Sequence, residues 1–263
     1  MIKPIFRAGL LLTAILVIGG CSTSGGGAGD DNEGDLIVTP RGDRLAETNV
    51  KLGVGYFQQG NYEYALRKFR KALEIDDNLP NGHYAIALLY DRLGKPKAAV
   101  RHFERAIELN PQYSDAHNAY GAFLCRKKDF VGADKAFKKA LSNPLFRSHS
   151  LVRINAGLCA MRAGKPEEAQ DYFRNLLKGE PNNPTALFQM AKINYDSERY
   201  LQARGYLQRY DSASKHTAQT LLLGVKIERI LGDKNKLAKY ALILQRKFPD
   251  SDEAQELLRS ERR

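Results

Sequence analysis

Small and aromatic residues return at a fixed interval along most of this chain. Gly53, Tyr56, Gly60, Ala65, Phe69 and Ala72 recur, in whole or part, as Ala87, Tyr90, Gly94, Ala99, Phe103, Ala106 and Pro111. The set comes back as Gly121, Ala133, Phe137 and Ala140, and again as Gly157, Gly164, Ala169, Phe173 and Pro181. The units start near residues 46, 80, 114, 150, 184 and 218, so four of the five steps are 34 residues and one is 36. A repeat of this length predicts stacked helix-turn-helix units that bury their apolar faces on one another. Small residues at the eighth and twentieth positions let the two helices of a unit approach. The aromatic at the twenty-fourth fills the space beside them, a glycine near the fifteenth permits the turn, and a proline stops the second helix.

These positions resemble the tetratricopeptide repeat, which implies an all-α, right-handed solenoid of about six helix pairs. Units one, two and four fit best. The third has two extra residues around Ser142 to Phe146, with Pro144 early. The fifth places Asn194 where an aromatic is usual and Tyr210 where alanine is usual, and the sixth has Leu237 at a small-residue position. Asp252 to Arg259 reads as a terminal helix with a polar outer face, the cap such arrays need for solubility.

The pattern changes at the N-terminus. Met1 to Arg7 carries two cations and no acid, and Ala8 to Ile18 is an apolar run broken only by Gly9 and Thr13. This reads as a signal peptide over residues 1–20, too short to span a bilayer comfortably, which takes about 20 apolar residues. Ile18-Gly19-Gly20-Cys21 resembles the lipobox of bacterial lipoproteins, so Cys21 is the expected lipidation site, with Ile at a position more often Leu. An ordinary signal peptide with a chance cysteine and an uncleaved anchor are the alternatives. Ser22 after the cysteine implies, by the same resemblance, sorting to the outer membrane. Several acyl chains hold a protein firmly where a single chain binds reversibly. Residues 22–45 open STSGGGAGDDNEG, the composition of a flexible tether with a span of roughly 25 to 30 Å. The expected organisation is thus signal peptide 1–20, lipidated Cys21 with tether to 45, and repeats over 46–263.

Charge and chemistry narrow the function class. The net charge of +11 falls to +9 once Lys3 and Arg7 leave with the signal peptide. A basic body suits acidic protein surfaces or anionic headgroups, and the expected compartment makes nucleic acid the poorest partner. The bland reading is that these cations are solvated helix faces. No G-x-S-x-G, H-E-x-x-H, Walker loop, C-x-x-C or strand-anchored G-x-G-x-x-G occurs, and the glycines at 25 to 29 lie in the tether. The five histidines, at 83, 102, 117, 149 and 216, are isolated in sequence and read as polar surface residues. An enzyme, a metal site, a cofactor and a small-molecule substrate are therefore not expected.

Cys125 and Cys159 are 34 residues apart and fall late in the first helices of adjacent units. An oxidising compartment allows a staple between them if their Cα atoms come within about 7 Å, and two buried thiols are the alternative.

In tetratricopeptide arrays the first helices line a groove that takes a segment of a partner protein. Carried onto this chain, the groove positions are Val50, Val54, Phe57 and Gln58, then Tyr84, Leu88, Asp91 and Arg92. Asn118, Ala122 and Arg126 follow, then Ile154, Leu158, Met161 and Arg162, and finally Phe188, Lys192 and Tyr195. The expected anchors are Val54, Phe57, Tyr84, Leu88 and Phe188, with Arg92, Arg126 and Arg162 as a positive lining for an acidic-apolar segment. Some of these side chains pack between helices instead if the frame slips by one. Together the lipobox, the Gly-rich tether, the opening text LGVGYFQQGNYEYALRKFRKALEID, the NPL turn at 143–145 and the two cysteines resemble the PilW/PilF-type pilotin lipoproteins of type IV pilus biogenesis. That resemblance implies an outer-membrane scaffold that binds secretin subunits and promotes their localisation and assembly. An adaptor lipoprotein for periplasmic cell-wall hydrolases or proteases is the alternative.

Overall fold

A computed structural model describes residues 41–261 as thirteen helices with no strand among them. The expected signal peptide, Cys21 and the expected tether up to residue 40 lie outside the described residues. The helices pair in chain order. The A helices are α1 (Arg41–Gln58), α3 (Pro80–Arg92), α5 (Ser114–Arg126), α7 (His149–Arg162), α9 (Pro184–Asp196) and α11 (Ala218–Leu231). The B helices are α2 (Tyr62–Ile75), α4 (Pro96–Leu109), α6 (Phe130–Leu141), α8 (Pro166–Gly179), α10 (Tyr200–Ala213) and α12 (Lys234–Lys247), and α13 (Asp252–Glu261) closes the array. Each A helix packs on its own B helix, and each B helix on the next A helix. The core accordingly runs as successive apolar clusters along one compact unit.

Within a pair the helices meet where one of them lacks bulk. A Cβ at Gly121 would lie 2.8 Å from the Phe137 ring, and one at Gly157 2.6 Å from Phe173. Nothing larger than hydrogen fits there without moving a buried ring. Gly53 stands in the same relation to Phe69. The sixth pair closes by a variant of this contact. Its turn is two residues, Gly232 and Asp233, where the others have three. Leu237 therefore takes the place of the usual alanine and buried Ala241 that of the usual ring, while Tyr240, one residue earlier, covers Gly224 at 2.8 Å. Large and small exchange positions, so the volume is kept.

The other departures from the pattern are also accommodated. Tyr210 is buried and its hydroxyl donates to the Lys215 carbonyl (3.1 Å), and the Asn194 amide donates to the Met190 carbonyl (2.7 Å). Glu228, only 2% exposed, accepts from Arg204 through Nε (2.9 Å) and Nη2. Without that bidentate partner a carboxylate would not be tolerated at such depth. In α13, Ala254 and Leu257 are buried, and Glu253, Glu256 and Arg259 face outward or are part-exposed.

Two expectations are corrected. Residues 41–45, read as tether, are the first turn of α1, which starts directly after Pro40 and continues into buried Ala46, Asn49 and Val50. A proline just before a helix forfeits no hydrogen bond, and an amphipathic face that buries three residues needs a full turn ahead of it. The histidines are not isolated surface groups either. Nε2–H of His83, His117 and His149 donates to the carbonyl six residues earlier, on Asp77 (2.9 Å), Pro111 (3.0 Å) and Asn143 (3.0 Å). Each ties the loop between two repeats to the A helix that follows. The Asn143 contact serves the lengthened third loop in the same way.

The His83 bond also fixes a tautomer. With Nε2 donating to a carbonyl, neutral His83 offers Nδ1 as acceptor, so His102 must carry its proton on the Nδ1 that meets it at 3.0 Å. Burial, and then the charges on His83, Arg101 and Arg70, push His102 from its ordinary 6.5 down to about 4. Burial lowers His117 and His216 as well. Between about pH 6.5 and pH 4 the unfolded chain therefore takes up a proton that folded His102 refuses, and stability falls as pH falls through that window. The thermal midpoint should drop over this range, and His102→Gln should flatten the drop while leaving a smaller one from the other histidines.

The αL position of each turn supplies a second test. Gly60, Gly94, Gly164 and Gly232 take φ between +67 and +78, but repeats three and five put Lys128 (φ +66) and Glu198 (φ +60) there. A side chain in this region costs about 1–2 kcal/mol. Lys128→Gly should raise the free energy of unfolding by roughly 1 kcal/mol, less the backbone entropy glycine adds to the unfolded chain, as read by urea denaturation.

Candidate partner-binding groove

The expected anchors lie on successive A helices and differ in exposure. Val54 is the most exposed, at 37%. Phe57 is half-buried with its ring 5.7 Å from Tyr62. Tyr84 is half-buried edge-on to Tyr113 (5.3 Å), and burial, with the charge of Asp115 behind it, pushes its phenol up to about 12. Leu88 packs partly on the cluster of Ala87, Phe103 and Phe123, and Phe188 lies edge-on to Tyr210 at 6.4 Å. These side chains combine an open edge with packing contacts on the other side, as anchor groups do.

Two carried-over positions do not reach the surface. Val50 is buried in the first cluster. Asn118 is buried and accepts from the Asn155 amide at 3.0 Å, a bond between the third and fourth A helices. Helical spacing assigns a face, but depth depends on the neighbouring helix.

The arginine lining is partly neutralised. Arg126 pairs with Asp91 of the preceding A helix, and Arg92 Nε donates to the Tyr62 hydroxyl (3.1 Å), which raises its own affinity for the proton. Arg162 is exposed beside a cavity of about 240 Å³ that Ala122, Arg126, Asn155 and Leu158 also line. Cys125 and Cys159 lie on the same cavity and are joined as a disulfide with a Cα–Cα distance of 5.8 Å. The bond ties α5 to α7 and so holds the spacing of two A helices along the groove. Closing a 34-residue loop stabilises a fold by about 3–4 kcal/mol on chain-entropy grounds.

A larger cavity, about 480 Å³, opens at the C-terminal end between α9, α11 and α13. Phe188, Tyr195, Leu222 and Leu223 supply its apolar surface. At its rim Lys192 pairs with Asp196 (2.9 Å) and Lys226 with Glu256 (2.7 Å). Phe188, Lys192 and Tyr195 were legible from the repeat frame. Leu222, Leu223 and Lys226 were not, because the groove positions were carried only as far as the fifth unit, and α13 read only as a cap. The described residues contain no group of three or more His, Cys, Asp or Glu that could hold a metal ion, and no helix among them is long and apolar enough to cross a membrane. What the face offers chemically is apolar edges, hydrogen-bonding amides and fixed ion pairs, a surface for binding a polypeptide.

Comparisons with known proteins agree with this picture. Tetratricopeptide repeat models match residues 44–112, 84–146 and 160–222. The type IV pilus assembly protein PilF of Pseudomonas aeruginosa is 32% identical over 251 residues, which is 95% of this chain and 97% of that protein. The solved structure of Pseudomonas aeruginosa PilF superposes with a TM-score of 0.73 over 83% of this chain and 99% of its own. That of PilW, described as a widely conserved type IV pilus biogenesis factor, gives 0.71 at 27% identity over 82% of this chain and 99% of its own.

Proposed function

Because the chain belongs to the PilF/PilW family of tetratricopeptide-repeat proteins of type IV pilus biogenesis, we propose that it is a non-enzymatic outer-membrane lipoprotein. In this reading it binds secretin subunits and promotes their localisation and multimerisation. The observation that carries the proposal is the set of half-buried, packed apolar edges on the A helices of a body that aligns with PilF over nearly its whole length. Lipidation at Cys21 would confine the body to the inner leaflet of the outer membrane, and the tether would let it sweep a shallow layer of periplasm. A subunit captured there meets the next at a surface, so assembly gains through effective concentration with no bond made or broken.

The groove has apolar anchors and few unpaired charges, which favours a partner segment that offers apolar side chains at intervals with modest charge. Val54 and Leu88 would meet the first part of such a segment and Phe188 a later part. The alternative, an adaptor for periplasmic cell-wall hydrolases or proteases, uses the same face and predicts a different partner.

Deleting the protein should leave secretin monomer present and remove the outer-membrane multimer. An intact multimer, together with copurification of a hydrolase or protease, would favour the adaptor. Val54→Asp and Leu88→Asp should each preserve the helical spectrum and cut partner binding about tenfold or more, since each sets a charge against an apolar contact. Wild-type binding by both variants would move the site off this face. Cys21→Ser should release the protein from the membrane fraction while it still binds partner in solution.

A further inference from the structure

The last B helix differs from the five before it. α12 carries Lys234, Lys236, Lys239, Arg246 and Lys247 and no acid, whereas α2, α4, α6, α8 and α10 each hold at least one carboxylate. Its inner side, Tyr240, Ala241 and Leu244, is buried in the core. The opposite side exposes Lys239, Leu242 and Arg246, and Lys234 and Lys247 are exposed at the two ends of the helix. Residues 235, 239, 242 and 246 fall on one strip at helical spacing, so Leu242, 47% exposed, sits between Lys239 and Arg246. Among the described residues, Lys236 is the only one of the five cations in an ion pair, with Asp233 at 3.2 Å. The field also reaches inward: His216 is held low first by burial and then, against the pull of Asp211, by Lys239 and Lys247.

We propose that this outer strip of α12 is a docking surface for an anionic phospholipid bilayer. The charges lie along a convex helix face with no pocket to hold a peptide, since the cavities described above are on other helices. Diffuse positive charge around one exposed aliphatic side chain matches a headgroup layer, where cations meet phosphates and the leucine reaches the acyl boundary. The strip also belongs to the last helix pair among the described residues, which α13 closes. It acts through side chains and so does not depend on lipidation of Cys21. If that anchor is present, the two contacts together would orient the body on its membrane.

The test uses residues 22–263, which contain the whole compact unit but neither the signal peptide nor the acylated cysteine. The protein is floated with vesicles of phosphatidylcholine containing phosphatidylglycerol, and with phosphatidylcholine alone, at low and raised salt. Association with the anionic vesicles alone is expected, weakening as salt rises. Lys239→Glu with Arg246→Glu should reduce partitioning roughly tenfold or more, while Arg101→Glu with Lys135→Glu, an equal charge change on α4 and α6, should have little effect. Unchanged melting and helical spectra for both pairs would exclude unfolding as the cause. The inference is overturned if the chain does not float with anionic vesicles, or if the two variant pairs lose binding equally. Binding to polyglutamate without flotation would overturn it too, and would assign the strip to an acidic protein. Loss of flotation leaves the secretin assay untouched, so the two proposals fail separately.

Discussion

Everything in this molecule depends on how closely the two helices of a repeat approach. At Gly53, Gly121, Gly157 and Gly224 one helix contributes nothing beyond a hydrogen, and a ring from its partner occupies the vacated space. Phe69, Phe137 and Phe173 are essentially inaccessible to water as a result, Phe103 is buried likewise in a cluster with Ala87, and each supplies a large apolar burial from a single residue. The contact links positions sixteen residues apart, so it is completed inside one unit and needs nothing from distant sequence. Each unit then offers its B helix to the next A helix, and the array extends without long-range pairing.

This is why so much of the fold was legible in the sequence. A close approach demands a small residue and a ring at fixed places, and those demands repeat every 34 residues. What escaped reading is whatever joins one repeat to another through long polar side chains. The hydroxyl of Tyr172 donates to Asp134 (2.6 Å), that of Tyr240 to Asp211 (2.7 Å) and that of Tyr120 to Glu104 (3.2 Å). These bonds share a purpose, but the acids lie 38, 29 and 16 residues before their tyrosines, because a long side chain can reach an acid in several places. The histidine bonds to the inter-repeat loops escaped for a similar reason. A histidine on a helix face is compatible with solvent, and only the curl of the preceding loop brings a carbonyl to it.

The sixth repeat shows how a local substitution is absorbed. A turn shortened by one residue rotates α12 relative to the pattern, and the usual alanine and ring positions arrive displaced. Leu237 and Ala241 exchange bulk and Tyr240 takes over the contact with Gly224, so the pair closes to the same depth. The interior requires a filled volume and is indifferent to which residue number fills it. Read position by position, this unit looked incomplete. Read by volume, it is whole.

Charge obeys the same rule of neighbours. Some cations inside the stack find partners in the neighbouring repeat: Arg126 has Asp91 on the preceding A helix, and Arg204 has Glu228 on the following one. The last repeat packs on α10 on one side and on the single helix α13 on the other, and Lys239 and Arg246 on the outer strip of α12 make no ion pair among the described residues. In the first repeat α1 exposes Leu45 and Leu52, and in the last repeat α12 exposes lysine and arginine. The two ends therefore differ in chemistry, although the units between them are built alike. A linear array allows this, because a residue on an end or on the A-helix face can change without disturbing the ring contacts that hold each pair together. The Cys125–Cys159 bond adds rigidity near the middle, where α5 and α7 set the groove's spacing, and leaves both ends outside the cross-link.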